Sequence, residues 1–376
     1  MRTFVFTCLL LLGMTTFAQD ANFHIYLCLG QSNMEGNAKV EEQDTVAVDS
    51  RFQVLAAVDC PNLGRTKGNW YKAVPPLARC YTGLTPGDYF GRAMVANLPS
   101  NVRVGIINVA VGGCRIELFD KDNYQSYVET SPDWLKNMVK EYGGNPYARL
   151  VEMAKLAQKD GVIKGILLHQ GESNTNDKDW PLKVKGVYDN LLNDLGLSAA
   201  NVPLLAGEVV HADQNGVCAS MNTIIDSLPQ VIPTAHVISS AGCPAAFDNL
   251  HFTAEGYRML GARYAAKMLS ILGYGDWTSA QNMKLWYNRP AQDWLEALPL
   301  GNSRLGAMVF GGTAREELQL NDETMWGGSP YRNDKPEALE SLPQVRELIF
   351  AGKNMEAQDL IQENFYAGKH GMPYQT

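Results

Sequence analysis

The stretch "YLCLGQSNMEG", Tyr26–Gly36, is an apolar run that stops at Gly30 and gives way to Gln31-Ser32-Asn33. Its apolar part begins upstream as "FHIYLCLG", and four runs of similar character follow: "VRVGIINVAVGG", "GVIKGILLHQGE", "VPLLAGEVV" and "AHVISSAG". Each has the length of a strand, and each is apolar along its length instead of alternating. Strands read that way when both of their faces are covered. Between the later runs lie "PYARLVEMAKLAQKD" and "PLKVKGVYDNLLNDLG", whose apolar residues recur at three- and four-residue steps. "TAEGYRMLGARYAAKMLSILG" closes the series, with Thr253 as N-cap and Gly273 as stop signal. Runs alternating with amphipathic helices predict an α/β fold, a parallel sheet with helices on both sides.

A chain of 376 residues suggests two domains, and 45% apolar with 19% charged residues is an ordinary globular composition. A net charge of −8, with no clustered Lys and Arg, argues against a nucleic-acid partner. The N-terminus, "MRTFVFTCLLLLGMTTFAQD", reads as a secretory signal over residues 1–18, cleaved after Ala18. The run is too short to span a bilayer and no later apolar run reaches about 18 residues, so the expected product is secreted or periplasmic, without membrane insertion. None of the cysteine spacings matches C-x-x-C. Cys28 and Cys114 read as buried small hydrophobes. Pairing of Cys60 with Cys80, or of Cys218 with Cys243, is left open.

The first domain is assigned to residues 19–275. Beyond it the pattern changes to short strands separated by turn residues, with "GNSR" and "GGTARE" as hairpin loops. Two helical stretches follow, "PEALESLPQVRELIFAGK" and "MEAQDLIQENFYAGK". A second domain, assigned to residues 282–376, reads as incomplete.

In a parallel α/β sheet the loops after the strands' C-terminal ends gather into one crevice, where reactive groups belong. Three run ends are polar: Gln31-Ser32-Asn33, Gly112-Gly113-Cys114 and His169-Gln170-Gly171-Glu172. "FDNLHFTAEG" adds Asp248 and His251 just before the last helix. Together they supply the parts of hydroxyl-nucleophile catalysis: Ser32, an imidazole to take its proton, and a carboxylate to fix the imidazole tautomer. The Ser32 and Gly113 N–H groups and the Gln170 amide are candidate oxyanion donors, with Gly112 as the alternative to Gly113. Taken singly these signals are weak, since G-Q-S-N is ordinarily a turn and D-x-x-H recurs by chance. Their combination carries the reading. His211 is a further candidate for the acyl or sugar site, and Trp70, Trp134 and Trp180 lie in loop-like segments where a ring could stack on a sugar.

"GQSNMEG", "VGGCRIE", "HQGESN" and "DNLHFTAEGYRMLG", in this order, resemble the sialate O-acetylesterase and acetylxylan esterase family, the sixth carbohydrate esterase family among SGNH-type hydrolases. The resemblance spans roughly Asn22 to Tyr274. It implies a flavodoxin-like three-layer sandwich, removal of O-acetyl groups from glycans, and no metal or organic cofactor. It makes Ser32 the nucleophile, His251 the general base, Asp248 its orienting carboxylate, and Gly113 and Gln170 oxyanion donors. Cys114 departs from the Thr or Ser that many members carry there. Glu172 is expected to orient Gln170 or Arg115, or else to lie at the surface.

The segment from about Met283 to Thr376 resembles the N-terminal β-sandwich domain of α-L-fucosidases of the ninety-fifth glycoside hydrolase family. In that family the catalytic acid and base lie in a later helical barrel that this chain lacks, so Asp322 and Glu323 are not read as a catalytic pair. The reading is therefore a serine esterase for acetylated oligo- or polysaccharides, fused to the opening of a fucosidase. Two rivals are a fragment of a protein known chiefly as a fucosidase, and a carbohydrate-binding module without catalysis.

Overall fold

The computed structural model describes residues 19–274, 287–324, 335 and 338–365. The expected signal segment, the junction between the two domains and the final "GMPYQT" lie outside the described residues. The chain divides into two compact units, Met1–Met283 and Lys284–Thr376.

The first unit is built on seven strands: β1 Asp20–Gly30, β2 Phe52–Leu55, β3 Trp70–Lys72, β4 Arg103–Ala110, β5 Gly161–His169, β6 Leu204–Gly207 and β7 Ala235–Ile238. They lie in the order β3-β2-β4-β1-β5-β6-β7. All neighbours are parallel except β2 and β3, which pair antiparallel. The expected parallel sheet thus carries one antiparallel edge strand, β3. All five apolar runs became parallel strands. The edge strands β2 and β3 are only four and three residues long, too short for a periodic signal. Without them, β4-β1-β5-β6-β7 has the flavodoxin-like order, with its switch point between β1 and β5.

Strand β1 shows why its run is apolar throughout. Phe23, Ile25, Leu27 and Leu29 enter the core on one face of the sheet, and Tyr26 and Cys28 enter the core on the other. The first face is covered by helices Asp133–Glu141, Pro146–Ala157 and Trp180–Leu195. The second is covered by helices Pro86–Asn97 and Ala254–Ile271. The last helix starts where its sequence indicated, with the Thr253 side chain accepting from the Gly256 N–H, and Gly273 follows its end at φ +82°. Cys60 and Cys80 are bridged, which settles the pairing, while Cys218 and Cys243 are free thiols.

In the second unit, β8 Leu298–Gly301, β9 Leu305–Val309 and β10 Leu318–Asp322 form one antiparallel sheet, joined by the two expected hairpin loops. Helices Ala338–Phe350 and Asn354–Asn364 follow. Among the described residues this is one small antiparallel sheet, as an incomplete sandwich would leave. Leu300, Leu305, Leu318 and Leu320 are exposed on it.

Candidate active site

The end of β1 is forced against the end of β5. Gly30, at φ +149°, allows this, because a Cβ there would stand 2.0 Å from the His169 carbonyl oxygen. The Gln31 N–H donates to that same oxygen at 3.0 Å. The chain then turns into the short helix Ser32–Glu35, with Ser32 at its first position. The Ser32 hydroxyl lies 2.8 Å from His251 Nε2, and His251 Nδ1 lies 2.7 Å from Asp248 Oδ2. These three side chains, 219 positions apart at the extremes, form one continuous relay.

Asp248 is itself held in place. Its Oδ1 accepts the backbone N–H groups of Leu250 and His251, both at 3.0 Å. Burial opposes its ionisation, but the His251 ring and those two N–H groups hold its carboxyl below the ordinary aspartate range. An ionised Asp248 facing Nδ1 leaves the proton on that nitrogen and the lone pair of Nε2 toward Ser32, as a general base requires.

Of the expected oxyanion donors, two backbone groups are available. The N–H groups of Ser32 and Gly113 make no hydrogen bond within the described residues. Gly113 sits at φ +69°, directly after Gly112, whose Cα substituent would lie 3.7 Å from Ser32 Cβ. Glu35 stands beside Gly112, with its Oε2 2.8 Å from where a Cβ there would lie, and its buried carboxylate pairs with Arg79 at 2.6 Å.

Gln170 does not serve as expected. It is buried, and its Nε2 is turned inward to Asn174 Oδ1 at 2.8 Å, Gln31 Oε1 at 3.1 Å and the Cys114 carbonyl at 3.3 Å. Its Oε1 accepts the Trp180 indole N–H, which fixes the amide's orientation. It is a strut beneath the site and not a donor into it.

Glu172 is buried, not at the surface, and contacts neither Gln170 nor Arg115. Its Oε1 accepts from Asn33 Nδ2 at 2.5 Å and lies 3.7 Å from His169 Nε2. Burial opposes its ionisation, yet the nearby His169 ring, its own backbone N–H and the Asn33 amide hold its carboxyl below the ordinary range. Arg115 pairs at 3.6 Å with both Glu117 and Asp177. The sequence reading gave Asn33 no role. In the structure it is fully buried, donates also to the Leu250 carbonyl at 3.1 Å and accepts from the Tyr257 hydroxyl at 2.6 Å. It thereby ties the helix that carries Ser32 to the residue preceding His251.

A family model described as carbohydrate esterase, sialic acid-specific acetylesterase, matches residues 22–270. The chain belongs to this carbohydrate esterase family. A probable carbohydrate esterase of Arabidopsis thaliana is 25% identical over 264 residues, covering 65% of this chain and 90% of the relative. An X-ray structure of an Arabidopsis thaliana protein superposes with a TM-score of 0.51 at 21% identity, over 67% of this chain and 99% of that one, a likeness of fold. A second model, described as the N-terminal domain of glycosyl hydrolase family 65, matches residues 285–376. Over 67 residues the chain is 40% identical to alpha-L-fucosidase 2 of Arabidopsis thaliana, 18% of this chain but only 8% of that protein.

In this carbohydrate esterase the remaining candidates separate cleanly. Cys114 is buried under the oxyanion loop, burial pushes its thiol well above the ordinary range, and it stays a neutral packing residue. His211 caps a short turn through the Asp213 N–H at 3.4 Å and makes no contact with the relay. Trp180 is buried, and Trp70 packs on Phe23 while donating to Asp160 at 2.9 Å. Trp134 alone of the three is half exposed, and it lies against Gly113. Among the described residues no group of His, Cys, Asp and Glu is arranged to hold a metal ion, and no helix is long and apolar enough to cross a membrane.

Proposed function

We propose that the first unit is a serine O-acetylesterase of glycans that works through an acetyl-enzyme. The observation that carries this is the relay from Asp248 through His251 to Ser32, with the free Ser32 and Gly113 N–H groups beside it. Ser32 Oγ attacks the acetyl carbonyl as its proton passes to His251 Nε2, and Asp248 stabilises the imidazolium. The two N–H groups receive the oxyanion, each donor of this kind contributing about 10²–10³ in rate. On collapse the sugar oxygen leaves with the proton from His251. Water then gives a proton back to His251, attacks the acetyl group, and releases acetate as Ser32 recovers its hydrogen.

The test is acetate release from p-nitrophenyl acetate and from acetylated xylan by the chain and by Ser32→Ala. A loss of about 10⁴-fold or more is expected. A folded Ser32→Ala protein that retains its activity would overturn the serine mechanism.

A second part of the proposal concerns residues 285–376. Their likeness to the opening of fucosidases supports a longer protein that strips acetyl and then fucose from one decorated glycan, because acetyl groups block exo-acting glycosidases. Fucoside cleavage is assigned to parts of such a protein outside this chain, and no fucose release is expected from these residues. Export after removal of residues 1–18 belongs to the same proposal, checked by N-terminal sequencing of the secreted product.

A further inference from the structure

Two exposed aromatic rings adjoin the segments that carry Gly113 and Asp248. Trp134 is 54% exposed, and its Cη2 would lie 2.7 Å from a Cβ on Gly113, so the edge of the indole rests on the oxyanion glycine. It sits in the first turn of helix Asp133–Glu141, which Leu135 and Val139 anchor in the core on one face of the sheet. Phe247 is 100% exposed and immediately precedes Asp248. Its backbone is nonetheless fixed: the Asn249 N–H donates to the Ala246 carbonyl at 2.9 Å, and the Ala246 N–H to the His251 carbonyl at 2.7 Å. That loop is anchored by Cys243 and Phe252 in the core on the opposite face.

Single exposed apolar side chains are ordinary on protein surfaces. What distinguishes these is placement: each is held by rigid backbone, one resting on Gly113 and one next to Asp248 in the chain. Aromatic walls with a few polar groups between them are the usual make-up of a small-ligand site.

The charges around the site bear on what the ligand is. Arg79 is matched by Glu35 at 2.6 Å and Glu141 at 2.5 Å. Glu117 and Asp177 are shared between Arg115, at 3.6 Å from each, and Lys183, at 2.9 and 2.6 Å. These cations are committed to carboxylates, which suits an uncharged sugar better than an anionic one.

Building on the esterase reading, we propose that Trp134 and Phe247 are the walls of a subsite for an uncharged pyranose ring. The ring stacks its C–H face on the indole while its O-acetyl group reaches Ser32. Covering roughly 55 Å² of apolar surface in this way corresponds to about a tenfold gain in affinity.

The experiment compares the full chain with Trp134→Ala, Trp134→Phe and Phe247→Ser on three esters: acetylated xylo-oligosaccharide, 9-O-acetylated sialic acid and ethyl acetate, which has no ring. The ratio of kcat/KM for the oligosaccharide to that for ethyl acetate is expected to fall about tenfold in Trp134→Ala, through KM, and in the same direction in Phe247→Ser. Trp134→Phe should recover most of it. The unaltered chain should favour the oligosaccharide over the sialate ester. An unchanged ratio in Trp134→Ala, or faster cleavage of the sialate ester, would overturn the subsite. Ethyl acetate hydrolysis surviving in Ser32→Ala would instead refute the serine mechanism. The subsite then still stands or falls on quenching of tryptophan fluorescence by unacetylated xylo-oligosaccharide, expected in Ser32→Ala and lost when Trp134→Ala is added.

Discussion

Replacing Asn33 with alanine removes three hydrogen bonds at once, two of them buried: to Glu172 Oε1 at 2.5 Å, to the Leu250 carbonyl at 3.1 Å, and from the Tyr257 hydroxyl at 2.6 Å. The costliest loss is the first. Glu172 Oε2 already has no partner, so the variant leaves a buried carboxylate with the His169 ring, 3.7 Å away, and its own backbone N–H to offset it. Stripping the partner from a buried charge costs about 3–5 kcal/mol. For a unit of this size that lowers the melting temperature by about 10 °C. The pH dependence gives the cause away. In the parent protein the carboxyl of Glu172 sits below its ordinary value of 4.5, so it contributes stability above that pH and loses it as pH falls through the folded value. Without the Asn33 amide the folded value moves up toward the ordinary one, so part of the stability that the parent gains above that pH is lost. The gap in melting temperature between the two proteins is therefore expected to widen from pH 4 to pH 7. Acetate release should fall about 10²-fold, because the segment bearing His251 loses its tie to the nucleophile's helix and a shift of about 1 Å is enough. Tyr257→Phe is the control: it leaves the Glu172 contact in place, costs about 1–3 kcal/mol and keeps the parent's pH trend. A melting temperature for Asn33→Ala within about 3 °C of the parent at pH 7, or a gap that does not grow with pH, would refute the reasoning.

Asp248→Asn should lower kcat by about 10⁴-fold with little change in KM, since the imidazole loses its enforced tautomer; steady-state kinetics on p-nitrophenyl acetate checks it. Gly113→Ala forces a Cβ to within 2.7 Å of Trp134 at a φ of +69°, so the peptide must turn; kcat should fall about 10²–10³-fold while the fold, followed by circular dichroism, persists. Removing the Cys60–Cys80 bridge with serines at both positions opens a loop of separation 20, worth about 3 kcal/mol in chain entropy, and should lower the melting temperature by about 10 °C.

Much of the fold and the relay was legible in the primary structure because local physics writes them there. A strand covered on both faces must be apolar at every position, and β1, β4 and β5 were recognisable for that reason. The polar blocks after them stood out against those runs. Strands β2 and β3 left no such mark, being short edge elements. Gln170 shows the limit most clearly. Its place at a strand end was correctly read, but whether an amide faces the crevice or the interior depends on partners such as Trp180 and Asn174, which lie on a neighbouring segment that bends back beneath it.

The amino-acid sequence by itself determined the α/β layering and singled out Ser32, Asp248 and His251, which the fold brings together, because periodicity and residue chemistry are properties of short segments. Tertiary structure alone decided that Gln170 turns inward to Asn174 and Trp180, that Glu172 is buried against Asn33 and His169, and that Trp134 rests on Gly113. Each of those depends on which side chains from distant segments compete for the same hydrogen bond or the same space, and that competition is settled only when the layers pack.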